Sequence, residues 1–443
     1  MTDWEVNGGE HQHPAAHDTS ATGIAMMPAY PHVVEGGMVQ PQSQQQAASS
    51  LNLALQSHAG PVYQPREGVM CTQSTFFVET NPSRQLLGHM YVECLKPLLN
   101  NQLPIILIHG DFHTGQIWST KPDGNPGWAS YFCYNGRCVY VVDLPPFGRS
   151  NIDCRPLDPA RMSNETFRMD ESTVERALTA PGKQESERWA GARNHSQWPG
   201  TGQRGDPIFQ GYYASLVPLQ SKKVDRQALA QDALARLLER TGRAVLVGEG
   251  AGATMAWLAA DLKPDLVAAV VAVEPAGPPA GSATHMGEDG LLRYSRHIKY
   301  APGVRPYGLA DIPLTYDPPL GMPSIGAAHY GPALDLATAF SQSGDISCVL
   351  QPGGIARAGY GPVPEPRKLV NLRQIPHAIV TAQASSHSTY DWAAIQFMRQ
   401  AGVGVFHIRL EEYYLFGNGH LMFLESNSDE IASLIDLWIG MKT

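Results

Sequence analysis

The 443-residue sequence is poor in cysteine, in long apolar runs and in clustered basic residues, and each shortage removes a class of function. Its six cysteines, Cys71, Cys94, Cys133, Cys138, Cys154 and Cys348, lack the close, repeated spacing of a metal site. Cys133 and Cys138 form the one short spacing suited to pairing, but free core thiols are the expectation. With them goes a reduced, cytoplasmic setting. No run of about eighteen apolar residues exists, so no membrane-spanning helix is expected. Met1-Thr2-Asp3-Trp4-Glu5 has neither the basic start nor the apolar centre of a secretory signal. Lys and Arg total 32 against 41 Asp and Glu, a net charge of -9 without any basic stretch, which argues against nucleic acid or a membrane surface as partner.

What is present suits a globular α/β protein. Residues 1–65, rich in Gln, His, Ser, Pro and Gly, read as a mostly disordered leader. Strands near 74–79 and 89–94, separated by Asn81-Pro82-Ser83-Arg84, suggest an antiparallel pair at a sheet edge. Leu103 to Ile108 is a continuous apolar run of the kind buried on both faces, and it stops at His109-Gly110-Asp111-Phe112-His113. A short helix over 128–136 and the strand Cys138 to Asp143 then imply a right-handed crossover and a parallel sheet. Two further strands (244–250 and 266–274), a helix from Asp225 to Arg240, and a final alternation from His377 to Gly440 complete a domain over 66–443. Residues 151–223 and 277–367 interrupt it as loop-rich lid or cap insertions.

The segment Ala244-Val245-Leu246-Val247-Gly248-Glu249-Gly250-Ala251-Gly252-Ala253 organises the rest. It runs from a strand into a small-residue helix, as in the G-x-S-x-G turn that exposes a nucleophilic serine. Gly248 and Gly252 match the two glycines, but the nucleophile's position holds Gly250. The same residues satisfy the dinucleotide pattern G-x-G-x-x-A, with Glu274 as the ribose-binding acid, so a nicotinamide-dependent oxidoreductase is the remote alternative. Two strands precede the turn, an acid (Glu274) follows at the next strand's end, and His420 lies in a loop after the last strand. That order of nucleophile, acid and histidine favours the α/β-hydrolase fold.

Several motifs then carry a resemblance: His109-Gly110, Pro122-Asp123-Gly124, Gly127-Trp128-Ala129 and Gln197-Trp198-Pro199-Gly200-Thr201-Gly202. Glu274-Pro275-Ala276-Gly277-Pro278-Pro279, Asp311-Ile312-Pro313-Leu314-Thr315-Tyr316 and Gly417-Asn418-Gly419-His420 continue it. The chain resembles, over roughly 70–443, a group of bacterial and fungal α/β-hydrolase esterases. The resemblance implies Glu274 as triad acid, His420 as base, and oxyanion-binding amides near Asp111 and Ala251. His109, His113, Trp198 and Tyr316 are pocket candidates, and Asp391 is a reserve acid. No cofactor or metal is called for. The expected partner is a small-molecule substrate, and a homo-oligomer stays open. Similar fungal hydrolases serve polyketide pathways, which makes secondary metabolism the setting by analogy. The departure from the group is Gly250, whether by replacement or by natural loss of serine. Ester or carbonyl chemistry through a His420–Glu274 pair leads. A non-hydrolytic cyclase or lyase and a catalytically dead binding protein are the other readings.

Overall fold

The computed structural model describes residues 32–33, 42–57, 70–80, 87–153, 162–321, 333–353 and 365–443. Its main sheet has nine strands: β1 (Cys71–Thr80), β2 (Leu87–Pro97), β3 (Ile105–Ile108), β4 (Val139–Asp143), β5 (Asn151–Asp153), β6 (Ala244–Gly250), β7 (Val267–Pro275), β8 (His377–Thr381) and β9 (Val405–Arg409). Their order is β9-β8-β7-β6-β3-β4-β2-β1, with β5 paired to β2. From β9 across to β4 all neighbours are parallel, whereas β2 runs antiparallel to β1, β4 and β5.

Seven helices matter here: α1 (Gln42–Ser57), α2 (Trp128–Tyr134), α3 (Pro207–Ser215), α4 (Lys223–Thr241), α5 (Ala251–Leu262), α6 (Asp391–Gln400) and α7 (Ser428–Lys442). Strand alternation sends Ile106, Ile108 and Leu246 into one apolar cluster with residues of α4, α5 and α6. Ile105, Leu107, Val245 and Val247 enter the opposite cluster, with α2 and α7. Every residue of β6 and β7 is buried, because helices cover both faces of a parallel sheet. The chain steps from β3 to β4 in one direction and from β6 to β9 in the other. The reversal between β3 and β6 is the topological switch point where open α/β sheets bind ligands.

Close packing at that point depends on glycine. A Cβ on Gly252 would lie 2.5 Å from the carbonyl oxygens of both Ile108 and His109, so α5 approaches β3 only with glycine there. Replacing Gly252 by Ala is expected to lower stability by roughly 1–3 kcal/mol through overpacking. Denaturant midpoints measure this, and an unchanged midpoint would show that the helix shifts freely.

Two expectations differ from the structure. Within the predicted leader, α1 is helical; the rest of 1–65, apart from 32–33, lies outside the described residues. Ala48 and Leu51 share its inner face, with Leu51 fully buried, and Arg399 Nη2 donates to Gln44 Oε1 at 2.6 Å. A glutamine-rich composition hid that short apolar stripe. The second insertion holds regular structure, with strands Gly281–Met286, Leu292–Tyr300, Ala337–Ser341 and Ser347–Leu350 in a separate five-stranded sheet completed by His32–Val33. Its strands are short or half-exposed and set among prolines, so their period was obscured.

The five described cysteines are free thiols, and Cys138 neighbours Cys94 (Sγ to Sγ 3.6 Å) rather than pairing with Cys133. Cys154 lies outside the described residues. No helix among them is long and apolar enough to cross a membrane.

Candidate active site

The turn from β6 into α5 has the backbone of a nucleophile elbow. Gly250 sits at φ 52°, ψ -121°, a conformation that strains any residue with a Cβ. Around it the loops at the carboxyl ends of β3, β7, β8 and β9 converge.

Glu274 is the penultimate residue of β7, at a register shift between Val273 and Pro275, with φ at 45°, a strained backbone. Its carboxylate is fully buried and receives three contacts. The Ala382 amide donates to Oε1 at 2.9 Å, Ser385 Oγ donates to Oε2 at 2.7 Å, and His420 Nδ1 lies 2.7 Å from Oε2. The histidine loop is anchored from behind by Glu425, which accepts from the Gly419 amide at 3.0 Å and from Asn418 Nδ2 at 2.8 Å. Glu425 also holds His195 of the first insertion at 2.7 Å. His420 Nε2 is buried without a hydrogen-bond partner among the described residues.

Burial pushes the Glu274 carboxyl up to about 8, against the pull of His387 and of its hydrogen bonds from Ser385 and Ala382. Burial, with the His387 and His113 imidazoles nearby, pushes His420 well below its ordinary value. Both shifts favour the uncharged forms, so the site disfavours a carboxylate–imidazolium ion pair across the 2.7 Å contact. Behind it, His387 stacks on His420 with ring centroids 4.8 Å apart and planes at 9°. His387 Nδ1 lies 3.0 Å from Asp391 Oδ1, and Thr381 Oγ1 donates to Asp391 Oδ2 at 2.7 Å.

On the other side of Gly250 stands Glu249, 1 % exposed. Its Oε1 accepts from the Gly110 amide at 2.6 Å and contacts His113 Nδ1 at 2.8 Å. His113 Nε2 lies 2.9 Å from the Tyr212 hydroxyl on α3. Glu249 Oε2 is 3.9 Å from His420 Nε2.

No family model matches the chain. It is 35% identical over 358 residues to a probable secreted lipase, phiG, of Fungal sp. (strain ATCC 74256), covering 79% of this chain and 85% of that protein. Its fold is similar to that of a solved novel bacterial esterase, with a TM-score of 0.54 at 19% identity, covering 86% of this chain and 99% of that one. The chain belongs to the α/β-hydrolase superfamily.

In this hydrolase, the turn at Gly250 lies beside the end of β7 that carries Glu274, and Glu274 holds His420. Ala251 opens α5, where no preceding helical turn accepts from its amide, and Asp111 follows Gly110 in the facing turn. The Gly110 amide itself is taken by Glu249. Asp391 is one layer removed, bound to His387 and Thr381 rather than to His420. His109 is a structural residue: its Nδ1 lies 2.7 Å from the Gly110 carbonyl, and its Nε2 accepts from the Leu144 amide at 2.9 Å. Those bonds tie the turn after β3 to the turn after β4, and leave no ring nitrogen for substrate. Trp198 packs edge-on to Tyr212 with centroids 5.4 Å apart, behind His113.

Tyr316 corrects an expectation. Its hydroxyl donates to the Tyr307 carbonyl at 2.8 Å, and adjacent Thr315 binds Asp261 near the far end of α5. Asp261 lies ten residue steps along α5 from Ala251, about 15 Å of rise. The resemblance located a motif in sequence but said nothing of its distance from the elbow. Sequence reasoning also passed over Glu249, Ser385 and His387. For Glu249 a signal existed, since a carboxylate inside an apolar strand end is costly unless partnered.

Proposed function

We propose that this hydrolase acts on an ester or carbonyl of a large apolar small molecule, by proton transfer through His420 and Glu274 instead of a serine acyl-enzyme. The observation that carries this reading is His420: Nδ1 held by Glu274, Nε2 buried, uncommitted and 3.9 Å from the carboxylate of Glu249, the residue before Gly250. In the carboxylate form of the pair, Glu274 fixes the proton on Nδ1 and leaves a lone pair on Nε2, the arrangement a general base requires. Amides at Asp111 and Ala251, the latter at a helix N-terminus, suit a developing oxyanion. The fungal lipase supports the ester as the bond acted on. The two insertions support a covered, apolar substrate: Trp189 Nε1 donates to the Ala384 carbonyl after β8, and Tyr294 stacks on Tyr390. Fungal polyketide-type secondary metabolism is proposed from resemblance. A cytoplasmic location is proposed from the cysteine pattern, and the similar lipase, called secreted, argues against it.

The test is hydrolysis of p-nitrophenyl butyrate followed from the first turnover. Linear release without a burst is expected. The value of kcat/KM should rise with pH along a limb belonging to the pair, above the ordinary carboxylate range and toward about 8. A stoichiometric burst, or a limb in the ordinary carboxylate range, would place the chemistry on other groups.

A further inference from the structure

The reading above gives no task to the second buried carboxylate beside the elbow. Glu249 is clamped on one side only. Its Oε1 takes the Gly110 amide and His113, whose ring is fixed in turn by Tyr212, while Oε2 faces His420 Nε2 across 3.9 Å. The site is shaped to admit it: a Cβ on residue 110 would lie 2.8 Å from Oε1 and 2.9 Å from Oε2. Across the elbow, a Cβ added to Gly250 meets no heavy atom within 4 Å other than those of its chain neighbours Glu249 and Ala251, so no other residue fills the region over the turn. Two hydrogen bonds of about 2.8 Å span a 3.9 Å separation while meeting at roughly a right angle, close to what a water molecule accommodates. His420 Nε2, buried and uncommitted, is aimed at the same spot.

We propose that Glu249 is a catalytic residue which, with His420, holds the nucleophilic water between Oε2 and Nε2 over Gly250. This rests on His420 being the base, as read above. One O–H of the water donates to Glu249 Oε2 and the other to His420 Nε2. The water oxygen bonds to the ester carbonyl carbon as its second proton passes to Nε2, and the carbonyl electron pair moves onto oxygen, facing the Asp111 and Ala251 amides. Collapse re-forms the carbonyl and breaks the bond to the alcohol oxygen, which takes the proton from Nε2. Ester and water become acid and alcohol, and both side chains return to their starting states. The Glu249 charge also steadies the imidazolium formed midway. Gly250 thus makes room for water where a serine hydroxyl would stand.

Single-turnover hydrolysis of p-nitrophenyl butyrate in H2(18)O, with enzyme in excess, tests this without altering the chain. One 18O is expected in the butyrate and none in the peptide containing Glu249. Label in that peptide would make Glu249 the nucleophile and overturn the proposal. A double-mutant cycle separates catalysis from support. Glu249→Gln should lower kcat at least tenfold in the unaltered chain, and at least tenfold less in a Gly250→Ser background, where the serine supplies the nucleophile. Equal losses in both would mark Glu249 as structural. Turnover lost in His420→Ala but kept in Glu249→Gln overturns this inference alone; no hydrolysis by the unaltered chain overturns the His420 reading with it.

Discussion

Replacing His420 by Ala is expected to lower kcat on an aryl ester by roughly 10²–10⁴-fold, the range for removing a positioned general acid–base group. The fold should survive the change. Glu274 keeps its bonds from Ala382 and Ser385, and Glu425 still anchors the loop through Asn418 and Gly419. The stability lost is about 1–3 kcal/mol, the cost of leaving one buried partner unmatched. A large kinetic loss with a small thermal one is therefore the signature to look for. KM should move little, since His420 meets the reacting atoms rather than the body of the substrate. A binding protein built on an inactive hydrolase frame predicts something different: no turnover to lose, and the same ligand affinity in both chains. Turnover that survives the substitution would remove His420 from the chemistry.

Local pattern carried much of the architecture. Strands β3, β6 and β7 are continuous apolar runs ended by glycine or a charged residue, and such runs are legible wherever helices cover both faces. Glu274 and His420 were legible for a related reason: each closes or follows a strand, and their order along the chain matches the hydrolase plan. Ser385 and His387 were not, because they lie in a turn after β8 with no periodicity of its own. The partner of Ser385 is far away in sequence, Glu274 being 111 residues from it. Glu249 was missed although it sits inside the organising motif, since the pattern treats its position as arbitrary. Only three-dimensional contact with Gly110 and His113 shows that it is held. Tyr316 failed in the opposite sense. Its motif was recognisable, but α5 carries its surroundings away from the elbow. The strands of the second insertion are short or half-exposed, so their apolar signal is weak beside the flanking prolines.

Substituting Ser for Gly250 should convert the kinetics from linear product release to a burst of about one equivalent followed by a slower steady rate. The backbone is already set for it: φ 52° and ψ -121° persist with glycine present, so the neighbouring strand and helix impose the turn. Space is available, because apart from the adjacent Glu249 and Ala251 no residue has a heavy atom within 4 Å of an added Cβ. Serine in that strained region costs of order 1–3 kcal/mol, so the variant should unfold at lower temperature than the unaltered chain. Its hydroxyl would stand near His420 Nε2, which Glu274 prepares to take a proton, completing the usual nucleophile, base and acid. The serine would also enter the space assigned to water between His420 and Glu249, so the two nucleophiles exclude one another. Hydroxylamine should accelerate the slow phase by intercepting the acyl-enzyme. A destabilised variant without a burst would mean that Glu249, 3.9 Å from His420 Nε2, holds that imidazole away from the hydroxyl. In that event Glu249→Gln in the serine background should bring the burst back, separating a site rebuilt around two carboxylates from one that lacks only its serine.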